Sequence, residues 1–254
     1  MRNIKLVLEY DGTNYFGWQK QNNAITIQGT LEKALESLVG ENISVIGCSR
    51  TDSKVHAKGY VCNFNTSSSI PGEKFREALN NKLPEDIVVL SSNEVSQDFH
   101  ARYNSKGKMY CYTILNTPVR GALDRNYVYH YKGELDIALI KEGSKYFIGK
   151  HDFAAFRNLG SSVQTSVRTI YSIEVEEMNN RIKIYISADG FLYNMARIIV
   201  GTLLEVGCKK IKPCYIKEVI DSKERARAGR SVPPQGLTLV EVFYNNIVNN
   251  IINN

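Results

Sequence analysis

Two hydrophobic periodicities alternate along the first part of the chain. A period-2 stretch over 4–10 predicts a strand, and apolar residues about four positions apart from Ile27 onward predict an amphipathic helix. Two strand-like runs, a helix around Phe75 that ends before Pro84, and a last strand follow. The first half is therefore predicted to have the order β-α-β-β-α-β. Its predicted strands cover 4–10, 43–48, 59–64 and 87–90.

The second half repeats this order. Two of its strands are predicted to form a hairpin across Asn179 and Asn180. Two tandem units of this kind predict an α+β fold with two ferredoxin-like halves, each placing its helices on one face of a mainly antiparallel sheet. The other sheet faces are then free to line a cleft. The predicted strands cover 108–115, 167–176, 181–187 and 237–244, and the predicted helices cover 136–148 and 191–206.

The length of the chain agrees with this division. At about 150 residues per domain, 254 residues correspond to one large domain or two modest ones. We predict an N-terminal half over 1–105 and a C-terminal half over 106–245. An Asn-rich tail over 246–254 is expected to fray.

Composition narrows the class of protein. Hydrophobic residues make up 43% and charged residues 23%, values typical of globular proteins and not of disordered or fibrous ones. A net charge of +6 is compatible with a polyanionic partner but does not require one. We find no signal peptide and no apolar run long enough to span a membrane, and the five cysteines contain no C-x-x-C. A cytoplasmic protein with reduced thiols and no membrane association is expected.

The common cofactor signatures are missing from the sequence. It contains no G-x-G-x-x-G, no G-x-x-x-x-G-K-[ST], no H-E-x-x-H and no G-x-S-x-G. With only four histidines, a histidine-based metal site has little support. An enzyme with this sequence is expected to work without a metal, a nucleotide or another cofactor.

Reactive side chains are densest in the polar stretch S-R-T-D-S-K-V-H-A, between two strand-like segments. Arg50 and Lys54 flank Asp52 at two residues on either side, and nearby cations favour an ionised carboxylate that can act as base or nucleophile. A surface turn with ordinary ion pairs is the structural alternative, and spacing alone favours it.

A second candidate region, 102–132, combines charge with aromatic residues. It carries six basic residues against one acid, with six tyrosines interleaved. Basic residues neutralise phosphates and aromatic rings stack on unpaired bases, so the combination is typical of an RNA-binding surface. Tyrosines on a half-buried sheet face are the alternative. The apolar residues of 191–206 are interpreted as core, and by default Arg168 has an ion-pair role.

Ordered motifs run from about residue 4 to residue 244. They are Glu9-Tyr10-Asp11-Gly12, Gly17-Trp18-Gln19, the S-R-T-D-S-K-V-H-A stretch, Phe99-His100-Ala101-Arg102, Tyr110, Asp152-Phe153, Phe156-Arg157, Arg168-Thr169-Ile170, G-F-L-Y-N-M-A-R-I-I-V-G-T-L-L-E-V-G and Gln235-Gly236-Leu237. Together these motifs resemble the tRNA pseudouridine synthase A family, whose members isomerise uridines at positions 38, 39 and 40 of the tRNA anticodon arm.

The resemblance implies roles for four residues. Asp52 matches the catalytic aspartate, Tyr110 matches the aromatic residue that stacks on the flipped uracil, and Arg50 and Arg168 resemble the active-site arginines. It also implies the pseudouridine synthase fold, with two ferredoxin-like halves around a basic cleft, and a homodimer that binds tRNA across both subunits. Asp52 would either attack C1′ of the ribose or abstract a sugar proton to give a glycal-like intermediate, and both paths stay open.

Three positions depart from the family pattern. Ser49 and Lys54 occupy positions that are usually glycine, and Arg230 stands where proline is usual. If either glycine takes a positive φ, the residue in its place is strained or the turn differs; Lys54 could instead contact a phosphate. Two alternatives therefore accompany the main hypothesis: a non-catalytic RNA-binding module on the same scaffold, and a synthase that acts at another RNA position.

Overall fold

The structure is a computed structural model that describes residues 1–158, 160 and 165–245. In chain order its strands are β1 (Arg2–Tyr10), β2 (Ile46–Gly47), β3 (His56–Thr66), β4 (Ile87–Val95), β5 (Gly107–Asn116), β6 (Tyr129–Tyr131), β7 (Gly149–Asp152), β8 (Val167–Met178), β9 (Arg181–Ala188) and β10 (Leu237–Phe243). The α-helices are α1 (Ile27–Val39), α2 (Phe75–Asn80), α3 (Ile137–Ser144), α4 (Met195–Gly207) and α5 (Tyr215–Ser222). No helix in these ranges is long and apolar enough to cross a membrane.

The chain divides into two compact units. The first unit contains Met1–Lys106 and the chain from Thr238, and the second unit contains Gly107–Leu237. Strand β10 pairs in parallel with β3, at Thr238 with His56 and at Leu239 with Ala57. This pairing places the last strand in the first unit, whereas the division predicted from sequence put it in the C-terminal half. The predicted tail, 246–254, lies outside the described residues.

The first unit has the predicted order of elements. Strand β1 lies between β3 and β4 and is antiparallel to both. Strand β2 pairs with the C-terminal part of β3. Buried residues alternate along β1, and α1 buries the apolar stripe that includes Leu31 and Leu35. Helix α1 begins where the Thr26 hydroxyl accepts the Gly29 N–H, and it ends at Gly40 with φ 73°.

The second unit is also built on a mainly antiparallel sheet. Strand β9 pairs with β5 on one side and with β8 on the other, and β8 pairs with β7. The predicted hairpin is confirmed, because Asn179 and Asn180 both take positive φ, 52° and 61°, as a tight two-residue turn requires. Helix α4 is buried along most of its length, which confirms the interpretation of its apolar residues as core.

Several predicted boundaries were wrong for physical reasons. Only Ile46–Gly47 of the predicted strand 43–48 pairs as a strand, because the Val45 N–H donates instead to the Glu32 carboxylate at 3.1 Å. Helix α4 begins at Met195 and not at 191, since Asn194 takes φ 61°. Strands β6 and β7 were not predicted, because runs of three and four residues are too short to show a period.

The packing of α1 gives a prediction with a control on the same helix. Leu35 is fully buried, whereas Leu38, which belongs to the same predicted stripe, is only half-buried. We expect Leu35→Ala to lower the free energy of unfolding by about 2–5 kcal/mol, because it leaves a cavity in the core. Leu38→Ala is expected to cost about 1 kcal/mol or less. Urea denaturation of both variants measures this, and equal losses would contradict the packing described.

Candidate active site

The candidate catalytic residue lies on the segment 48–55, which we name the Asp52 loop and which connects β2 to β3. Asp52 is half-buried, Arg50 is exposed, and Thr51 and Val55 are buried. The Val55 N–H donates to the Asp52 carbonyl at 3.2 Å and closes a tight turn. The structure thus places Arg50 and Asp52 on one loop, with Asp52 half-buried and Arg50 exposed.

The segment 11–19 supports this loop through hydrogen bonds. The Trp18 N–H donates to the Thr51 carbonyl at 3.2 Å. The Tyr15 carbonyl accepts both the Lys54 N–H and the Ser53 hydroxyl, each at 3.2 Å. Backbone groups on both sides of Asp52 are therefore fixed to the same stretch of chain.

Two glycines allow this close approach. A Cβ on Gly12 would lie 2.1 Å from the Val55 carbonyl oxygen, and one on Gly17 would lie 2.4 Å from the Thr51 carbonyl oxygen. Gly17 also takes φ 86°, a conformation that other residues rarely adopt. These contacts explain why the D-G and G-W-Q motifs accompany the Asp52 loop in the sequence.

A cluster of buried aromatic residues contacts the Asp52 loop. Trp18 stacks on Tyr60 with their ring centroids 3.9 Å apart, and Tyr10 lies 5.7 Å from Tyr60. The hydroxyls of Tyr10 and Thr51 hydrogen bond at 2.9 Å, and Tyr60 donates to the Ser49 carbonyl. Burial raises the pKa of Tyr60 well above its usual range, so its phenol stays a neutral donor.

His56 fixes the C-terminal end of the loop. It is buried at the first position of β3, and its Nδ1 accepts the Gly12 N–H at 3.1 Å. The Asp11 carboxylate lies 3.0 Å from the same nitrogen and also accepts the Thr13 N–H at 2.9 Å. The motif histidine is therefore part of the scaffold that holds the loop.

Arg50 is available to bind an anion. Its guanidinium is exposed and forms no ion pair within the part of the chain that the structure describes. Because arginine presents several N–H donors in a plane, an exposed guanidinium on this loop suits a phosphate or a carbonyl of a bound nucleotide.

The other two predicted residues lie in the second unit. Tyr110 is a buried residue of β5, opposite Ile186 of β9, and its ring packs edge-to-face on Phe191 at 4.9 Å. Arg168 lies on β8, and a Cβ on Gly190 would be 3.4 Å from its Nε. In the chain that leaves β9, Phe191 thus contacts Tyr110 and Gly190 lies beside Arg168.

Arg168 is partly withdrawn from solvent. Its guanidinium donates to the carbonyls of Thr165 at 3.0 Å and Val167 at 2.6 Å. Burial lowers the pKa of Arg168, and the nearby Asp189 opposes this shift by favouring the charged form. The default interpretation from sequence, an ion pair, is not confirmed, because among the described residues Arg168 has no ion pair and is held by two backbone carbonyls.

Two residues that make several hydrogen bonds, Tyr15 and Arg197, received no role from the sequence alone. Tyr15 anchors the Asp52 loop through its carbonyl, and its hydroxyl donates to Asp86 at 2.5 Å. Arg197, in a helix interpreted only as core, donates to the Val232 carbonyl at 2.7 Å and to Asn194 at 2.6 Å. The single arginine in a mostly apolar helix was the available signal.

No group of three or more His, Cys, Asp or Glu side chains within residues 1–158, 160 and 165–245 is arranged to hold a metal ion. The chemistry that the described geometry offers comes from a half-buried carboxylate, exposed and part-buried guanidinium groups, and a supported aromatic ring.

Comparison with known proteins identifies a family. A family model described as tRNA pseudouridine synthase matches residues 6–104 and 144–245. A protein of Clostridium perfringens (strain 13 / Type A) named tRNA pseudouridine synthase A 2 is 62% identical over 96% of this chain and 100% of its own length. The proteins named tRNA pseudouridine synthase A from Clostridium acetobutylicum and Acetivibrio thermocellus are 56% and 54% identical, again over 96% of this chain and 100% of theirs.

Among solved structures, a chain in the crystal structure of a Cbf5-Nop10-Gar1 complex has a TM-score of 0.39 and 11% identity, covering 93% of this chain and 48% of that chain. This weak likeness adds nothing to the assignment. The family model matches most of the chain, and the relatives match along their whole length. The chain therefore belongs to the tRNA pseudouridine synthase family.

Proposed function

We propose that this protein isomerises uridine to pseudouridine at positions 38, 39 and 40 of the tRNA anticodon stem-loop, with Asp52 as the catalytic carboxylate. Membership of the tRNA pseudouridine synthase family supports a tRNA-modifying isomerase. The observation that carries the assignment of Asp52 is its setting: a half-buried carboxylate on a loop anchored on both sides. Such anchoring holds a reacting group in place before substrate arrives.

The proposed reaction suits a carboxylate without a redox partner. The bond between N1 and C1′ breaks, the uracil turns, and a bond forms between C1′ and C5. The proton on C5 passes to solvent, and N1 gains a proton from solvent. Asp52 would either attack C1′ or remove a sugar proton, and both paths require its ionised form, which the flanking cations Arg50 and Lys54 favour.

Tyr110, Arg50 and Arg168 are proposed to bind the substrate. A uridine must leave its stack to be reached, which costs a few kcal/mol, and an aromatic ring that stacks on the uracil offsets part of this cost. The edge-to-face contact with Phe191 holds the Tyr110 ring in one orientation. Each guanidinium group would bind phosphate or carbonyl oxygens of the RNA.

The family resemblance also leads us to propose a cytoplasmic homodimer that binds tRNA across both subunits. A second candidate function, synthase activity at another RNA position, is favoured by the departures from the family pattern. Among these, the exposed Arg230 donates to the Tyr129 hydroxyl at 2.5 Å and lies over its ring at 6.0 Å. An arginine on an aromatic ring at the surface offers an additional contact for RNA.

Tritium release from a tRNA transcript labelled at C5 of uracil tests the proposed function. We expect release by the wild-type protein, with pseudouridine mapped to positions 38 to 40. Release that maps elsewhere would support the second candidate. A folded protein that binds the transcript without releasing tritium would favour a non-catalytic RNA-binding module.

Removal of the carboxylate should separate catalysis from binding. We expect Asp52→Asn to abolish tritium release and to leave the Kd for tRNA within a few-fold, since phosphate contacts supply most of the affinity. Asp221→Asn makes the same change of charge on the exposed surface of α5 and should behave like the wild type. A loss of binding by Asp52→Asn that matches its loss of turnover would contradict this assignment.

Changes at Tyr110 should show whether its ring or its hydroxyl matters. Tyr110→Ala removes the ring and is expected to lose turnover, whereas Tyr110→Phe keeps the ring and should retain turnover. Single-turnover tritium release of both variants, after circular dichroism has shown that they are folded, makes the comparison. If Tyr110→Phe is as inactive as Tyr110→Ala, the hydroxyl is required and stacking alone is not the role of this residue.

A further inference from the structure

Lys54 occupies a backbone position that suits glycine better than lysine. The turn 52–55 is closed by the Val55 N–H on the Asp52 carbonyl, and Lys54, its third residue, takes φ 64°. Ser53 is not among the residues with positive φ, so the turn has the pattern of type II, in which the third position favours glycine or asparagine. A lysine there strains the backbone, and the turn itself gains nothing from the side chain.

Two other lysines with positive φ have local explanations. Lys209 and Lys223, at φ 61° and 58°, follow the ends of α4 and α5, where a left-handed residue commonly ends a helix. Their ammonium groups also lie near carboxylates, at 3.6 Å from Asp136 and 3.0 Å from Asp152. Lys54 lies at no helix end, is exposed, and has no ion pair within the described part of the chain.

The position of Lys54 is fixed although its side chain is exposed. Its N–H donates to the Tyr15 carbonyl at 3.2 Å, and Ser53 is bound to the same oxygen. Lys54 is two residues from Asp52 within this closed turn, so the base of its side chain stays close to Asp52. A firmly held backbone therefore carries an exposed cation beside the candidate catalytic carboxylate.

A nucleotide in this site would bring phosphates close to that cation. A uridine whose C1′ meets Asp52 carries one backbone phosphate on each side of its ribose. An unpaired ammonium group gains from such a contact by releasing counterions from the RNA. Glycine would relieve the strain at this position but would supply no charge, and asparagine would supply none either.

We propose that Lys54 is a substrate-binding residue that contacts a backbone phosphate adjacent to the target uridine. The proposal rests on the proposed function, since it places the target at Asp52. The contact is independent of base identity and adds affinity without taking part in bond making.

Three variants test the proposal. Lys54→Gly removes the charge and the strain, Lys54→Arg keeps the charge, and Lys209→Gly removes a charge and a positive-φ lysine from the end of α4. Binding of an unmodified tRNA transcript is measured by fluorescence anisotropy across about 50 to 200 mM salt, the range in which phosphate contacts are most visible. Thermal melting is recorded for the same samples.

We expect Lys54→Gly to weaken tRNA binding about three- to tenfold at low salt and to make the slope of log K against log salt shallower by about 0.7 to 0.9, the value of one phosphate contact. The same variant should melt about 2–4 °C higher than the wild type, because its turn is no longer strained. Lys54→Arg should keep the wild-type slope. Lys209→Gly should also keep it.

Opposite changes in affinity and stability distinguish a phosphate contact from a structural role. If Lys54→Gly binds tRNA with the wild-type affinity and slope, the proposal is overturned. If Lys209→Gly weakens binding equally, the effect is one of net charge and the proposal fails as well. These binding and melting measurements need no turnover. A wild-type protein that binds tRNA but releases no tritium would count against the proposed function. The comparison of tRNA binding among the Lys54 and Lys209 variants would still decide the role of Lys54.

Discussion

The close approach between the segment 11–19 and the Asp52 loop is the constraint on which the candidate active site depends. At Gly12 and Gly17 no side chain fits between the two stretches of backbone. Hydrogen bonds from Trp18 and to Tyr15 then fix the loop on both sides of its carboxylate. A loop would ordinarily sample many conformations, and this contact removes most of that freedom before any substrate binds.

The constraint extends to α1 through a buried polar network. The Glu32 carboxylate is almost fully buried and accepts hydrogen bonds from Val45, Gln28 and Lys20 at 3.1, 2.9 and 2.8 Å. The Gln28 side chain in turn accepts the Lys20 N–H at 3.0 Å. A buried carboxylate is costly unless it is satisfied in this way. The network links α1 to Lys20, which follows the segment 11–19, and to Val45, which precedes β2 and the Asp52 loop.

Periodicity predicted the parts of the fold that are long and amphipathic. Strand β1, helix α1 and the β8–β9 hairpin were predicted and are confirmed, as are the α+β class and the family. Features set by tertiary contacts could not be predicted. Two examples are the pairing of β10 with β3 and the hydrogen bond that the Val45 N–H donates to the Glu32 carboxylate instead of to a neighbouring strand. Both depend on residues outside the local segment. The roles of Asp52, Arg50, Tyr110 and Arg168 stay predictions.

Turnover by Gly17→Ala, with Gly40→Ala as its control, tests most directly whether the backbone contact positions the catalytic loop. Both glycines take positive φ, 86° and 73°, but an added Cβ meets the Thr51 carbonyl at Gly17 and nothing within 4 Å at Gly40. We predict that folded Gly17→Ala loses at least about tenfold in the single-turnover rate of tritium release from tRNA, because a small misplacement of a catalytic group lowers the rate strongly. Gly40→Ala should keep the wild-type rate. Equal rates in the two variants would contradict this prediction.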